Sequence, residues 1–360
     1  MEDAAMKGVL FYEHGGPEVL RYEEMEEPEA GEHEVVVRIK AVGMNYNDIW
    51  ARQGLPGIKF TLPHIPGTDA AGEIVQIGKR VTTVKVGDRV AVHPILSCRI
   101  CSDCTSGREY FCRNTRVWGF QTGPRMGGYV QYANLPEANV FPIPDTITYE
   151  EAASLTACLG TSWHMLVTRA RIQPGETVLI WGATSGIGTT AIQIAKLFNA
   201  RVIAVAGSDE KLEAARQLGA DETINYRTEN VFRTVRKLTD KRGVDVVFEH
   251  TGVNTWNTSI QCMAYGARLV TCGNTTGFHA QLDLRVLFWK QLSLLGCHSM
   301  NKYEVQEGWK FVKTGHIKPL IDRILPLEHA AEAHSRFESD NRVGRIILTP
   351  WEAKSAYNYV

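Results

Sequence analysis

Thr177-Val-Leu-Ile-Trp-Gly-Ala-Thr-Ser-Gly-Ile-Gly188 is the stretch that decides the fold. Five residues suited to a buried strand end at Gly182. After Gly186 and Gly188 the text becomes an amphipathic helix over 191–199. Glycines at such a junction permit a tight turn, let the backbone approach a pyrophosphate and leave its charge at the helix N-terminus. A glycine triplet alone is common; one that follows a strand and opens a helix specifies a dinucleotide-binding βαβ unit. Further apolar runs over 201–205, 244–248, 268–272 and 292–296, with a second helix over 210–218, continue the pattern. Strand–helix alternation at this spacing predicts an α/β fold, a doubly wound parallel sheet over residues 150–317.

Outside that span the text changes. Short alternating runs over 7–12, 34–42, 72–77, 89–93 and 128–133, broken by Gly and Pro, predict a β-domain of sandwich or partly open barrel type over 1–149. The tail over 318–360 returns to strands at 324–327 and 344–349 and is expected to rejoin the first domain. At 360 residues with 44% hydrophobic and 22% charged side chains, the chain can fill two cores. A net charge of -1 gives no reason to expect nucleic acid or an anionic membrane as partner. Residues 1–7 lack both a basic start and an apolar stretch, and no apolar run is long enough to span a bilayer. The cytoplasm is the expected address.

Within the β-domain, Cys98, Cys101, Cys104 and Cys112 follow the spacing C-x2-C-x2-C-x7-C. Four thiolates so placed can close a tetrahedral shell around one zinc and leave no position for a substrate. The polar, turn-rich lobe over about 95–115 has little apolar surface of its own, so a structural Zn(2+) is expected to staple it. The competing reading is four ordinary buried or disulfide-paired cysteines. Cys158, Cys262, Cys272 and Cys297 stand apart in apolar contexts, as reduced buried thiols do.

The end of the second strand of the sheet sets the choice of nicotinamide cofactor. An NAD-preferring site places an acid there to take the ribose hydroxyls and repel a 2′-phosphate. This chain has Ala206-Gly-Ser208, then Lys211, and Tyr226 after the next strand. A hydroxyl, an ammonium and a phenol can meet a phosphate dianion, which predicts NADPH. In the rival reading Asp209 or Glu210 holds the ribose of NADH. The full set of expected cofactor contacts is Thr161, Ser185, Gly186, Ile187, Gly188, Ser208, Lys211, Tyr226, Thr251 and Gly273.

These features together resemble the medium-chain dehydrogenase/reductase superfamily over nearly the whole chain. The resemblance implies a GroES-like β-domain beside a Rossmann domain, and a dimer or tetramer built through the latter. Short-chain dehydrogenases are a poorer match, since their glycine loop lies near the N-terminus and a Tyr-x-x-x-Lys follows it. The zinc alcohol dehydrogenases of the superfamily hold a catalytic metal with a Cys, a Gly-His-Glu and a second Cys. The matching positions here are Asn45, then Gly67-Thr-Asp69, then Ala157 beside Cys158. One thiolate cannot hold zinc, and without that Lewis acid an alkoxide is not stabilised at neutral pH.

Members without the metal include quinone reductases and reductases of activated double bonds. The chain looks broadly like zinc-lobe-bearing quinone reductases. It is locally similar to crotonyl-CoA reductases at Asn45-Tyr-Asn-Asp-Ile-Trp-Ala51, Val117-Trp-Gly-Phe-Gln-Thr122, Val247-Phe-Glu-His-Thr-Gly252, Asn274-Thr-Thr-Gly-Phe278 and Leu295-Gly-Cys-His-Ser299. In that family an Asn, a Phe-Glu pair and a His surround the reacting carbon. The matches are Asn45 or Asn47, Phe120 and His298, while Gln121 replaces the Glu and carboxylation is not implied. The expected substrate is therefore a small molecule, an enoyl-CoA first and an enone or quinone second. The expected catalytic residues are His298 as proton donor or water-holder, Tyr46 as second candidate, and Asn45 orienting nicotinamide or carbonyl. A zinc-type alcohol dehydrogenase using Cys158 and a non-enzymatic NADPH-binding protein are the alternatives. His250 and His93 are read as packing or cofactor-contact residues, and Lys290, Lys302 and Arg285 as possible CoA contacts.

Overall fold

The computed structural model describes residues 5–123, 127–339 and 341–351. The chain divides into two compact units, Met1–Ala157 with Pro319–Val360, and Cys158–Lys318. The break falls inside the Tyr149–Trp163 helix rather than at its start near residue 149.

The second unit carries a six-stranded sheet whose pairings are all parallel. Its order is Glu222–Asn225, Arg201–Ala206, Thr177–Ile180, Val244–Glu249, Met263–Thr271, Ser293–Gly296. In chain order this reads 3-2-1-4-5-6, the doubly wound topology, with the switch point between the Thr177–Ile180 and Val244–Glu249 strands. Val178, Leu179 and Ile180 are all fully buried, so both faces of the central strand are covered and no polar alternation appears. The strand expected before Tyr226 is Glu222–Asn225; Glu, Thr and Asn in a four-residue stretch carry almost no strand signal, so the sequence did not delimit it.

The first unit holds a seven-stranded sheet in the order Ile321–Pro326, Arg345–Thr349, Glu34–Gly43, Asp69–Ile77, Arg89–Val92, Val140–Pro142, with Tyr132–Pro136 also paired to Glu34–Gly43. The tail thus supplies two strands to the β-domain, and Ile347 and Leu348 pair with Gly43 and Val42. Val35, Val37, Ile39, Ile74, Leu135, Ile346 and Leu348 fill the core beneath it. The strand expected over 128–133 forms later, at Tyr132–Pro136. Gly127 and Gly128 instead lie flat against residues 65–67, where a Cβ on Gly127 would come within 2.0 Å of the Ile65 carbonyl. No helix among the described residues is long and apolar enough to cross a membrane.

Candidate functional site

In the second unit the glycine loop is shaped by its neighbours. Gly182 has φ +55°, and a Cβ there would lie 2.7 Å from His250 Cε1. A Cβ on Gly188 would lie 2.3 Å from the Gly182 carbonyl, so both positions demand glycine. Ser185 Oγ accepts a hydrogen bond from Gly188 N at 3.0 Å and caps the Gly186–Leu197 helix, aligning amides where a phosphate would bind. His250 Nε2 contacts the Trp181 carbonyl at 2.9 Å, so this histidine braces the loop.

Beside it, Glu249 is a fully buried carboxylate at the end of the Val244–Glu249 strand. It accepts hydrogen bonds from Thr251 N (2.7 Å), Gly252 N (3.2 Å), Thr255 Oγ1 (2.9 Å) and Ser259 Oγ (2.7 Å). Four donors satisfy it without a cation and fix residues 250–252. The Thr251 carbonyl in turn accepts from Thr276 N and Oγ1, both at 2.8 Å, and Gly273 packs its Cα against the His250 backbone.

At the end of the Arg201–Ala206 strand, Ser208 Oγ caps the Asp209–Gln217 helix by accepting from Lys211 N at 3.4 Å. The Tyr226 hydroxyl sits over Gly207, where a Cβ would lie 2.7 Å from it. Ser208 and Tyr226 therefore converge at the ends of adjacent strands, with Lys211 in the first turn after Ser208. Asp209 Oδ1 accepts from Asn225 Nδ2 at 3.0 Å, so part of this acid's acceptor capacity is used within the protein. Arg227, overlooked in the sequence, holds its guanidinium 6.0 Å from the Tyr226 ring centroid. Its signal was legible: a second cation directly after the phenol. Thr161 lies on the Tyr149–Trp163 helix.

His298 follows the Ser293–Gly296 strand and is accessible, and partial burial holds its imidazole below the usual histidine range. Ser299 beside it has φ +74°, a left-handed backbone that serine seldom adopts. Two of the three basic residues considered for CoA are engaged within the protein. Lys290 Nζ donates to the carbonyls of Met263 (2.8 Å) and Gln261 (3.2 Å), and Arg285 pairs with Asp283 at 2.8 Å.

In the first unit Asn45 precedes the Tyr46–Gln53 helix. Its Nδ2 donates to Thr68 Oγ1 (2.8 Å) and Asp69 Oδ2 (3.1 Å), and its Oδ1 accepts from Arg345 Nη1 (2.7 Å). Arg345 Nη2 donates to Asp69 Oδ2 at 2.8 Å, and Ala157 N donates to Asp69 Oδ1 at 2.8 Å. Both amide protons of Asn45 are thereby used within the protein. These contacts fix the Asn45 side chain between Thr68, Asp69 and Arg345. Arg345 was not foreseen. Burial raises the Asp69 carboxyl above the ordinary range while Arg345 pulls it back. The Tyr46 ring packs 5.2 Å from Trp50 and 5.7 Å from Phe337. Phe120 is buried edge-on against Phe60 at 5.4 Å, and Gln121 Oε1 turns back to accept from Val117 N at 3.1 Å.

The four lobe cysteines bring their sulfurs within 4.8 Å of one another. Cys112 lies 3.5 Å from Cys98, and Cys98 3.9 Å from Cys104. A backbone N–H from Cys98 pulls the Cys112 thiol down to about 6, toward the thiolate that binds metal. The donor set fits a closed zinc shell made of four thiolates. Among the described residues no other group of three or more His, Cys, Asp or Glu side chains comes close enough to hold an ion. Cys158 is buried and belongs to no such group of three among the described residues.

A doubly wound nucleotide unit joined to a β-unit with a cysteine lobe defines a nucleotide-dependent dehydrogenase architecture. Residues 31–145 match the alcohol dehydrogenase GroES-like domain, and residues 186–314 the zinc-binding dehydrogenase domain. A quinone oxidoreductase of Pseudomonas aeruginosa is 33% identical over 356 residues, 96% of this chain and 99% of that protein. An NAD-dependent alcohol dehydrogenase superposes with TM-score 0.92 at 39% identity, covering 96% of this chain and 100% of that one. A 2-octenoyl-CoA carboxylase reductase solved with NADP and 2-octenoyl-CoA superposes with TM-score 0.86 at 30% identity, covering 98% and 90%. The chain belongs to the medium-chain dehydrogenase/reductase superfamily and is an oxidoreductase of that type.

Proposed function

We propose that the protein is an NADPH-dependent reductase of an activated carbon–carbon double bond, a 2-enoyl thioester first, which works without a catalytic zinc and carries one structural zinc in its cysteine lobe. The observation that carries this reading is the Asn45–Asp69–Arg345 network. Where zinc dehydrogenases of the superfamily place metal ligands, this chain has an amide, a hydroxyl and a carboxylate already paired with a guanidinium. Such a donor set does not fit zinc. An electron-poor alkene can accept hydride without a Lewis acid, whereas an alcohol gives up hydride readily only as an alkoxide, which a Lewis acid would stabilise.

NADPH, when bound, supplies the hydride that adds to the β-carbon of the enoyl group. Ser208, Lys211 and Tyr226 would hold its 2′-phosphate, and the capped Gly186–Leu197 helix its pyrophosphate. His298 is kept neutral near pH 7, so it offers one N–H donor and one acceptor nitrogen. That suits a water-holder delivering a proton to the α-carbon better than an imidazolium acid. Tyr46 remains the second candidate.

Consumption of NADPH with acryloyl-CoA, crotonyl-CoA and a simple quinone, beside NADP reduction with a primary alcohol, tests the reading. Fastest turnover is expected with an enoyl-CoA. Faster quinone turnover would select the second reading, quinone reduction, which the Pseudomonas relative favours. Turnover of the alcohol alone would overturn both.

A further inference from the structure

Residues 297–301, which carry His298, are held at both ends by one short π-helical turn, His164–Arg169. The wider winding shows in the Ala170 N–H, which donates to the Met165 carbonyl at 2.8 Å. At the near end Arg169 Nε donates to the Gly296 carbonyl at 2.9 Å, and Cys297 N donates to Thr271 O at 2.8 Å. At the far end Glu304 is a buried carboxylate. His164 Nδ1 meets its Oε1 at 2.7 Å, and the Thr168 hydroxyl donates to the same oxygen. The other oxygen, Oε2, accepts from Asn301 N at 2.9 Å, while Asn301 Oδ1 accepts from Glu304 N at 2.8 Å. Between these anchors Met300 fills the space over Gly160, where a Cβ would lie 2.7 Å from Met300 Cγ.

π-helical turns are rare, weakly favoured and concentrated at functional sites. A serine in the left-handed region is strained and persists only where its surroundings over-determine it. Here the surroundings are the two anchors, and the strained residue is the one after His298.

We propose that Glu304, with His164, Thr168 and Arg169 of the π-helical turn, forms a clamp that sets the position of His298; these are positioning residues. The inference rests on the reading of His298 as the proton-handling group. Glu304→Gln, Thr168→Val and Arg169→Gln are compared with wild type in two independent ways. With an enoyl-CoA substrate, kcat falls on the order of tenfold in Glu304→Gln, with KM for NADPH unchanged. Amide hydrogen exchange at 297–301 speeds up in the holoenzyme, and the His298 imidazole pKa, followed by NMR, rises toward about 6.5 as the segment loosens. Thr168→Val, which removes one hydroxyl, gives the same changes in smaller measure, and Ser299→Gly leaves His298 in place. Lowered thermal stability with unchanged exchange at 297–301 and an unmoved His298 pKa overturns the clamp. A moved His298 pKa with unaltered kcat keeps the clamp and overturns the catalytic role of His298 instead.

Discussion

Arg345 Nη2 lies 2.8 Å from Asp69 Oδ2, and the two residues stand 276 positions apart in the chain. Both are buried, and Gly43 makes room for them: a Cβ there would lie 2.6 Å from Arg345 Nη2 and 2.2 Å from the Ala153 carbonyl. A strand from the tail thus delivers the cation that occupies the acid of the first unit.

Breaking this pair from one side leaves a buried charge without its partner. Arg345→Met is expected to cost about 3–5 kcal/mol, whereas changing both partners to apolar residues should cost much less. Urea denaturation of the single and double variants measures the difference. Equal losses in the two would show that the guanidinium is not compensating Asp69.

Cofactor choice follows from the adenosine end. Lys211→Ala and Tyr226→Phe should raise KM for NADPH by roughly tenfold each, the loss of one charge-assisted contact to phosphate, and leave KM for NADH nearly unchanged. Gly207→Ala pushes the Tyr226 hydroxyl aside and should act in the same direction. A parallel rise for both cofactors would instead point to a folding defect, and a wild-type preference for NADH would overturn the phosphate reading.

The cysteine lobe makes a metal prediction. Elemental analysis of the purified protein should find one zinc per chain, and Cys112→Ser should lose it. Because a metal held by four thiolates acts as scaffold, removal by a chelator should lower thermal stability first, with activity lost as the lobe unfolds. Two zinc ions per chain would revive the alcohol dehydrogenase reading.

What the sequence made legible is whatever depends on local pattern. Gly182, Gly186 and Gly188 announced the βαβ unit, and the cysteine spacing announced a cluster that the fold does assemble. What it hid is whatever depends on distant parts of the chain or on very short elements. Arg345 reaches Asn45 from 300 residues away, so spacing carries no trace of the contact. The π-helical turn at His164–Arg169 covers too few residues for its wider period to be told from that of an α-helix. The contacts of Asn45 were hidden for the same reason, since its three partners, Thr68, Asp69 and Arg345, lie outside its own segment.

Two buried groups in the first unit titrate against each other. Asp48 accepts from Asn45 N at 2.8 Å and Gly67 N at 3.1 Å, and the Tyr129 hydroxyl links it to His334 Nε2 at 3.1 Å. Burial pushes the Asp48 carboxyl up to about 7, with Asp69 adding to it and the backbone bonds and Arg345 opposing. Burial, reinforced by Arg52, pushes His334 down to about 3. For Asp48 the unfolded chain ionises near 3.9, so its contribution to stability is present below that pH and is lost as pH rises to about 7. For His334 the unfolded chain takes up a proton near 6.5, so its contribution is present above that pH and is lost as pH falls to about 3. Between about pH 4 and 6.5 the two slopes have opposite signs and offset one another, each at most about 1.4 kcal/mol per pH unit. Relative to wild type, Asp48→Asn should therefore gain stability as pH rises through this window, and His334→Gln should lose it. Urea midpoints at pH 4.5, 5.5 and 6.5, as roughly spaced points in that window, read the sign directly. Slopes parallel to wild type in both variants would mean that neither group changes its proton affinity on folding.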